Sequence, residues 1–220
     1  MQRRDFNSML ALTGLAASGS VALAQPAPAA PVEGRQFRRL APPLATPPGK
    51  VEVIEVFMYT CPHCFKFDTP LSQWAKAHAA DVTLRRVAVG ANTMTGLTQR
   101  MFFALQAMGV EDALHQPVFS AIHVGGADVT SESGVFDLAG RLGVDMAKFK
   151  QAYNSFSVVG KCRQANQFMQ DTGIDSVPTL IIGGRFVTSP SMAGAPGASE
   201  VEDGARALQI ADVLVKRAKG

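Results

Sequence analysis

Two cysteines separated by a proline and a histidine, in the stretch VFMYTCPHCFKF at residues 56–67, are the residues best suited to chemistry. Cys61 and Cys64 could exchange electrons as a dithiol and a disulfide, or they could bind a metal ion. A structural zinc site takes four ligands, typically in two closely spaced pairs. This chain offers one pair, a third cysteine and four scattered histidines, so redox chemistry is favoured over zinc.

The elements around the pair favour a reactive thiolate at Cys61. Residues 51–59 are rich in β-branched and aromatic side chains and predict a buried strand, and Pro62 suits the first position of a following helix. Cys61 would then cap the positive end of this helix, with a donor at His63, and both influences lower the pKa of its thiol. A low pKa stabilises the reduced form and makes the disulfide oxidising. Cys64, one turn into the helix, should be more buried.

A β–α–β unit is predicted around the pair. The helix that begins at Pro62 extends to about Ala79, with a kink expected at Pro70, and residues 83–89 predict the second strand. A connection of this length implies that the two strands are parallel and the crossover right-handed.

The pattern changes between residues 92 and 172, where apolar residues recur only at helical spacing. A long helix over roughly 157–172 closes this segment before Gly173. Strand character returns in VPTLIIGGRFV, residues 177–187, which predicts two strands joined by a Gly–Gly turn. Residues 189–199 predict a loop, and a final amphipathic helix follows.

The first 24 residues have the pattern of a secretory signal peptide, with two arginines, a stretch of small apolar residues and a final Ala-Leu-Ala before Gln25. The RRDF motif is compatible with either the general secretory or the twin-arginine route. Either route leads to the periplasm, where a cysteine pair can persist as a disulfide. A Pro/Ala linker comes next, and residues 35–41 predict a short strand.

The overall composition is that of an ordinary globular protein. The chain has 220 residues, of which 47% are hydrophobic, and a formal net charge of +3. This charge is too small, and the basic residues too scattered, to suggest nucleic acid or an anionic membrane as a partner. The third cysteine, Cys162, shares a helical stripe with Val158 and Ala165, so we expect a buried, unreactive thiol.

The CPHC motif after VIEVFMYT, the later SVPT at residues 176–179 and the helical segment between them resemble the DsbA family of periplasmic thiol–disulfide oxidases. The resemblance covers residues 35–219. It implies the α/β class, as a thioredoxin fold with an inserted all-helical domain. The organisation expected is a signal peptide at 1–24, a thioredoxin-like domain at 25–90 and 166–220, and the helical insertion at 91–165.

The resemblance also implies a substrate-binding edge beside the cysteines. Pro178 matches the family's cis-proline, although the residues alone would predict an ordinary trans proline at a strand edge. Val177 and Thr179, on either side of it, would bind an extended substrate peptide through backbone pairing.

Glu55 matches a buried carboxylate that handles the proton of Cys64 in the family. The alternation of its strand places Glu55 on an apolar face with Val53 and Phe57, and burial there should raise its pKa. The family pairs this carboxylate with a lysine, and this chain has Arg86 near the corresponding position. Arginine does not give up its proton, so this pairing departs from the family pattern.

The predicted function is donation of the Cys61–Cys64 disulfide to unfolded or partly folded exported proteins, by a monomer without a bound cofactor. By resemblance, a DsbB-like membrane protein would reoxidise the pair and pass the electrons to quinone. Alternatives are a thioredoxin-like reductant, which would differ in redox potential, and an isomerase, whose usual N-terminal dimerisation domain would not fit in residues 25–60. A non-enzymatic alternative is a peptide-binding chaperone or a zinc-binding module.

Overall fold

The computed structural model describes residues 30–90 and 92–220, and the predicted signal peptide lies outside these residues. The strands are β1 (Arg38–Arg39), β2 (Val51–Phe57), β3 (Val82–Ala88), β4 (Thr179–Ile182) and β5 (Phe186–Thr188). The helices are α1 (Pro62–Ala77), α2 (Thr93–Ala107), α3 (Glu111–His123), α4 (Glu132–Arg141), α5 (Met146–Tyr153), α6 (Phe156–Asp171), α7 (Pro190–Ala193) and α8 (Glu200–Lys219).

The five strands form one mixed sheet in the order β1-β5-β4-β2-β3. The predicted β–α–β unit is confirmed, because β2 and β3 pair in parallel, with Glu55 opposite Arg86. The predicted pair of late strands is also confirmed, with β4 antiparallel to both β2 and β5. The β2 strand therefore has a neighbour on each side, and it carries Glu55 in the middle of the sheet.

Alternate residues of the sheet face two separate cores. Val53 and Ile182 pack on one side with α1 and α8. Ile54 and Ile181 pack on the other side with side chains from α2 to α6. Because side chains alternate along a strand, Glu55 shares the face of Val53 and is directed toward α1.

The predicted helical segment is present as α2 to α6, between β3 and β4, which confirms a thioredoxin fold with a helical insertion. The domain limits stay a prediction, and α6 runs without a break across the expected limit at 165/166. Gly173 follows α6 with a φ of +59°, a left-handed conformation that suits a helix stop.

Three local expectations differ from the structure. The β2 strand ends at Phe57, two residues before the expected end at residue 59, and α1 ends at Ala77 rather than at about Ala79. The expected loop at 189–199 contains the single turn α7, which Ser189 caps by accepting a hydrogen bond from the Met192 amide. Such a turn is too short to produce a periodic apolar pattern. The α1 helix continues through Pro70, and the kink stays a prediction.

Candidate active site

The two cysteines lie at the start of α1, in the positions that the sequence predicts. Cys61 is the N-cap and Pro62 is the first helical residue. The backbone amide of Cys64 donates to the Cys61 sulfur at 3.4 Å. Cys61 is partly exposed and Cys64 is fully buried, and both are free thiols in this structure.

The two thiols have opposite pKa shifts. Hydrogen bonding to Cys64 is the largest influence on Cys61, and together with the backbone amides of the first turn it lowers the pKa of Cys61 from 9 to about 6, although partial burial opposes this shift. Burial raises the pKa of Cys64 far above its usual range. In the reduced protein the negative charge therefore resides on Cys61, and the proton resides on Cys64.

The donor expected at His63 is its backbone N–H rather than its ring. The backbone hydrogen bond and the ring's charge both lower the pKa of Cys61, and the ring's charge is the weaker of the two. The ring is 60% exposed, and its Nδ1 lies 3.2 Å from Glu200 Oε1. Lys66 Nζ lies 2.7 Å from the other oxygen of Glu200. The ring therefore contacts the start of α8, and the part of His63 that donates to the sulfur is its backbone N–H.

The loop that carries Pro178 lies beside Cys61. The Val177–Pro178 bond is cis, as the resemblance implies, and the Cys61 sulfur lies 3.7 Å from the Val177 carbonyl oxygen. Val177 is partly exposed, whereas Pro178 and Thr179 are buried. The Thr179 hydroxyl donates to the Ser176 carbonyl at 2.8 Å, so its side chain supports the loop from inside.

An apolar groove of about 300 Å³ opens next to this loop. Its lining includes His63, Phe67, Pro70, Val177, Pro190 and Val201. An extended chain that pairs with the Val177 backbone could place its side chains in this groove.

Glu55 lies within a buried group of charges. It has no exposed surface, and burial raises its pKa from 4.5 to about 7, although the positive charge of Arg86 lowers it. Arg86 donates from Nε to Glu55 Oε2 and from Nη2 to Asp68 Oδ1, each at 3.2 Å. The raised pKa expected for Glu55 is thus found, and Arg86 is its partner.

Sequence reasoning missed two members of this group, Asp68 and His115, which lie 3.2 Å apart between Oδ1 and Nε2. Asp68 could have been found, because it comes four residues after Cys64 on the buried face of α1. His115 could not, because it lies on α3, which was not recognised individually and contains Pro117.

Metal binding is an alternative interpretation of this group, because Glu55, Asp68 and His115 bring three possible ligand atoms within 4.8 Å of one another. Arg86 already supplies a positive charge to both carboxylates, so proton chemistry suits the group better than metal binding.

The sheet, the helical insertion and the buried–exposed cysteine pair define a thioredoxin-type dithiol protein. The family described as DSBA-like thioredoxin domain matches residues 69–209. The chain is 36% identical to the thiol:disulfide interchange protein DsbA of Burkholderia cepacia, covering 91% of this chain and 94% of the relative. It is 35% identical to the protein of the same name from Bordetella pertussis, over the whole length of both chains.

Solved structures agree with these relatives. A crystal structure of Pseudomonas aeruginosa DsbA matches with a TM-score of 0.76 and 30% identity, over 86% of this chain and 94% of that one. The chain belongs to the DsbA family, and it is a thiol:disulfide oxidoreductase. Within the described residues, no helix has the length and apolar character needed to cross a membrane.

Proposed function

We propose that the protein is a periplasmic dithiol oxidase that donates its Cys61–Cys64 disulfide to newly exported proteins. The observation that carries this proposal is the arrangement of the pair, with Cys61 as the partly exposed N-cap and Cys64 buried, which shifts the two cysteine pKa values in opposite directions. A stable Cys61 thiolate favours the reduced enzyme, so the oxidised enzyme tends to pass its disulfide on.

The exchange takes place in two steps. A substrate thiolate attacks the sulfur of Cys61, a mixed disulfide forms, and Cys64 leaves. A second substrate thiolate then attacks the substrate's own sulfur in the mixed disulfide and expels Cys61 as a thiolate. Two electrons pass from the substrate to the cysteine pair, and the substrate keeps the disulfide.

Glu55 supplies the proton that Cys64 needs when it leaves. Its pKa of about 7 keeps a large share of the carboxyl protonated near neutral pH. Its Oε2 accepts from Arg86, while its Oε1 is buried without a hydrogen-bond partner and is free to exchange a proton. During reoxidation the carboxylate takes the proton back, and Cys64 can then attack.

Substrate binding is assigned to the loop around Pro178 and to the adjacent groove. Val177 offers its backbone to an extended peptide, and Pro178 and Thr179 hold that backbone beside Cys61. Mostly apolar walls suit the exposed hydrophobic segments of unfolded or partly folded proteins.

The remaining assignments follow the family. They comprise export by the signal peptide at 1–24, reoxidation by a DsbB-like membrane protein that delivers electrons to quinone, a monomer that does not bind nucleic acid, and no cofactor beyond the redox-active disulfide. The domain limits at 25–90, 91–165 and 166–220 are retained as part of this proposal.

Equilibration of the protein with glutathione buffers tests the proposal, together with oxidation of a reduced, unfolded protein. A strong oxidant stays reduced in buffers that oxidise thioredoxin-like reductants, and it forms disulfides in the unfolded protein. Cys61→Ser should abolish this activity, and Cys162→Ser is the matched control that should retain it. A potential as low as that of thioredoxin would instead favour the reductant alternative.

A further inference from the structure

Glu55 gives up its proton when Cys64 leaves, and it has no exposed surface through which it could exchange protons with solvent directly. Arg86 lies between Glu55 and Asp68 and donates to both. An arginine stays protonated in a folded protein, so Arg86 neutralises negative charge but does not transfer a proton. Another ionisable group is needed for proton transfer.

His115 contacts this group from α3. Its Nε2 lies 3.2 Å from Asp68 Oδ1, and its Nδ1 lies 3.3 Å from Glu111 Oε1 and 3.0 Å from the Tyr59 hydroxyl. The ring of Phe57 lies 5.0 Å away between centroids, edge to face, as part of the apolar surroundings. An imidazole with a carboxylate at each nitrogen can accept a proton on one side and release one on the other.

Glu55, Asp68 and His115 have polar atoms within 4.8 Å of one another, and the exposed fraction of these side chains and of Glu111 rises from the sheet outward. The exposed fraction is 0% for Glu55, 2% for Asp68, 3% for His115 and 11% for Glu111. Glu111 lines a surface cavity of about 400 Å³, together with Arg86 and other residues of β3. The four side chains therefore lead from the middle of the sheet to the surface.

We propose that His115 is a positioning residue for disulfide exchange, passing protons between the buried carboxyls of Glu55 and Asp68 and the partly exposed carboxylate of Glu111. This inference rests on the proposed role of Glu55. When Cys64 leaves as a thiolate it takes the proton of Glu55. The neutral His115 ring accepts a proton at Nδ1 from Glu111, which replaces its own proton from solvent, and the resulting imidazolium gives the proton on Nε2 through Asp68 to Glu55. Reoxidation reverses the direction, and His115 carries no electrons.

The charges that face His115 couple its protonation to that of Glu55. Burial is the largest influence and opposes the imidazolium, but the carboxylates of Asp68 and Glu111 beside the two ring nitrogens outweigh it, and the pKa of His115 is raised. The positive charge of His115 in turn lowers the pKa of Glu55. The groups that face the imidazole are Glu55 on β2, Tyr59 after β2, Arg86 on β3, Asp68 on α1 and Glu111 on α3. Their titrations therefore belong to the cluster as a whole.

The variant His115→Gln tests this inference, because it keeps a polar side chain but does not titrate. We expect the pKa of Glu55, followed by carbon-13 NMR of labelled carboxyls, to rise. For a rise of one unit from about 7, the ionised fraction of Glu55 at pH 7 falls about fivefold, and reoxidation of reduced enzyme by glutathione disulfide should slow by the same factor. The pKa of Cys61, read from thiolate absorbance, should not change. Glu111→Gln should also raise the pKa of Glu55, by a smaller amount than His115→Gln, and the pH dependence of the reoxidation rate should shift to higher pH in both variants.

The matched control is His78→Gln, which removes a histidine at the other end of α1 that contacts Trp74 and Asp212. It should behave as the wild type. A His115→Gln enzyme with the wild-type Glu55 titration and pH–rate profile would overturn the inference and leave the oxidase function intact. If the variant does not fold, NMR titration of the wild type decides, because His115 and Glu55 should titrate with mutually dependent midpoints, and independent midpoints refute the coupling. Failure of the wild type to oxidise a peptide dithiol would instead refute the proposed function.

Discussion

The reduced protein is expected to gain stability relative to the oxidised protein as the pH rises from about 5 to about 8. The cause is the Cys61 thiol, whose pKa is about 6 in the folded protein, compared with the ordinary cysteine value of 9 that applies to the unfolded chain. A group with a lowered folded pKa contributes stability that is fully present above the unfolded pKa and is lost as the pH falls through the folded pKa. The oxidised form has no titrating thiol at this position.

The size of the effect follows from these two pKa values. Between about pH 5 and pH 8 the reduced form should gain at most about 2.6 kcal/mol over the oxidised form, at about 1.4 kcal/mol per unit in the steep region. Cys61 is partly exposed, so solvent screening reduces this gain, and we expect about 1–2 kcal/mol. Cys64 adds little below about pH 8, because it stays protonated in the folded protein and mostly protonated in the unfolded chain.

Urea unfolding of both redox forms at several pH values measures this difference. The loop closed by the disulfide affects the oxidised form equally at each pH, so the change in the difference with pH reports on the thiol alone. Repeating the series in Glu55→Gln removes the titration of the buried carboxyl. A stability difference that stays flat from pH 5 to 8 would refute the assignment of a lowered pKa to Cys61.

Three further predictions concern individual side chains. Replacing His63 with alanine should raise the pKa of Cys61 by less than about one unit, because the backbone donors remain, and thiolate absorbance against pH measures this rise. In the oxidised wild type, the raised pKa of Glu55 should lower the stability by up to about 3 kcal/mol as the pH rises from 4.5 to about 7. Glu55→Gln should not show this loss, and urea unfolding at the two ends of the pH range measures it. Burial raises the pKa of Cys162 to about 11, so a limiting amount of iodoacetamide near pH 7 should label Cys61 in the reduced protein and leave Cys162 unlabelled, as mass spectrometry can show.

Local patterns were sufficient for the elements that hold the cysteine pair. The β-branched run before Cys61 and the proline after it predicted the β2–α1 junction, and the apolar stripes predicted the helical insertion. The insertion's α3 helix was missed, because it contains Pro117, a residue that usually ends a helix, and no side chain caps its start. The N-cap role of Cys61 was also accessible from the sequence, since capping depends on neighbouring residues alone.

The amino-acid sequence by itself determined the reactive pair, because the helix start and its backbone donors come from consecutive residues. Only the tertiary structure decided which charges lie behind Cys64. Glu55, Asp68 and Arg86 come from three elements of the thioredoxin-like part, and His115 comes from the helical insertion. Their pKa values depend on distance and burial, which long-range packing sets and no local spacing encodes. Tertiary contact likewise placed the ring of His63 against Glu200, 137 residues further along the chain.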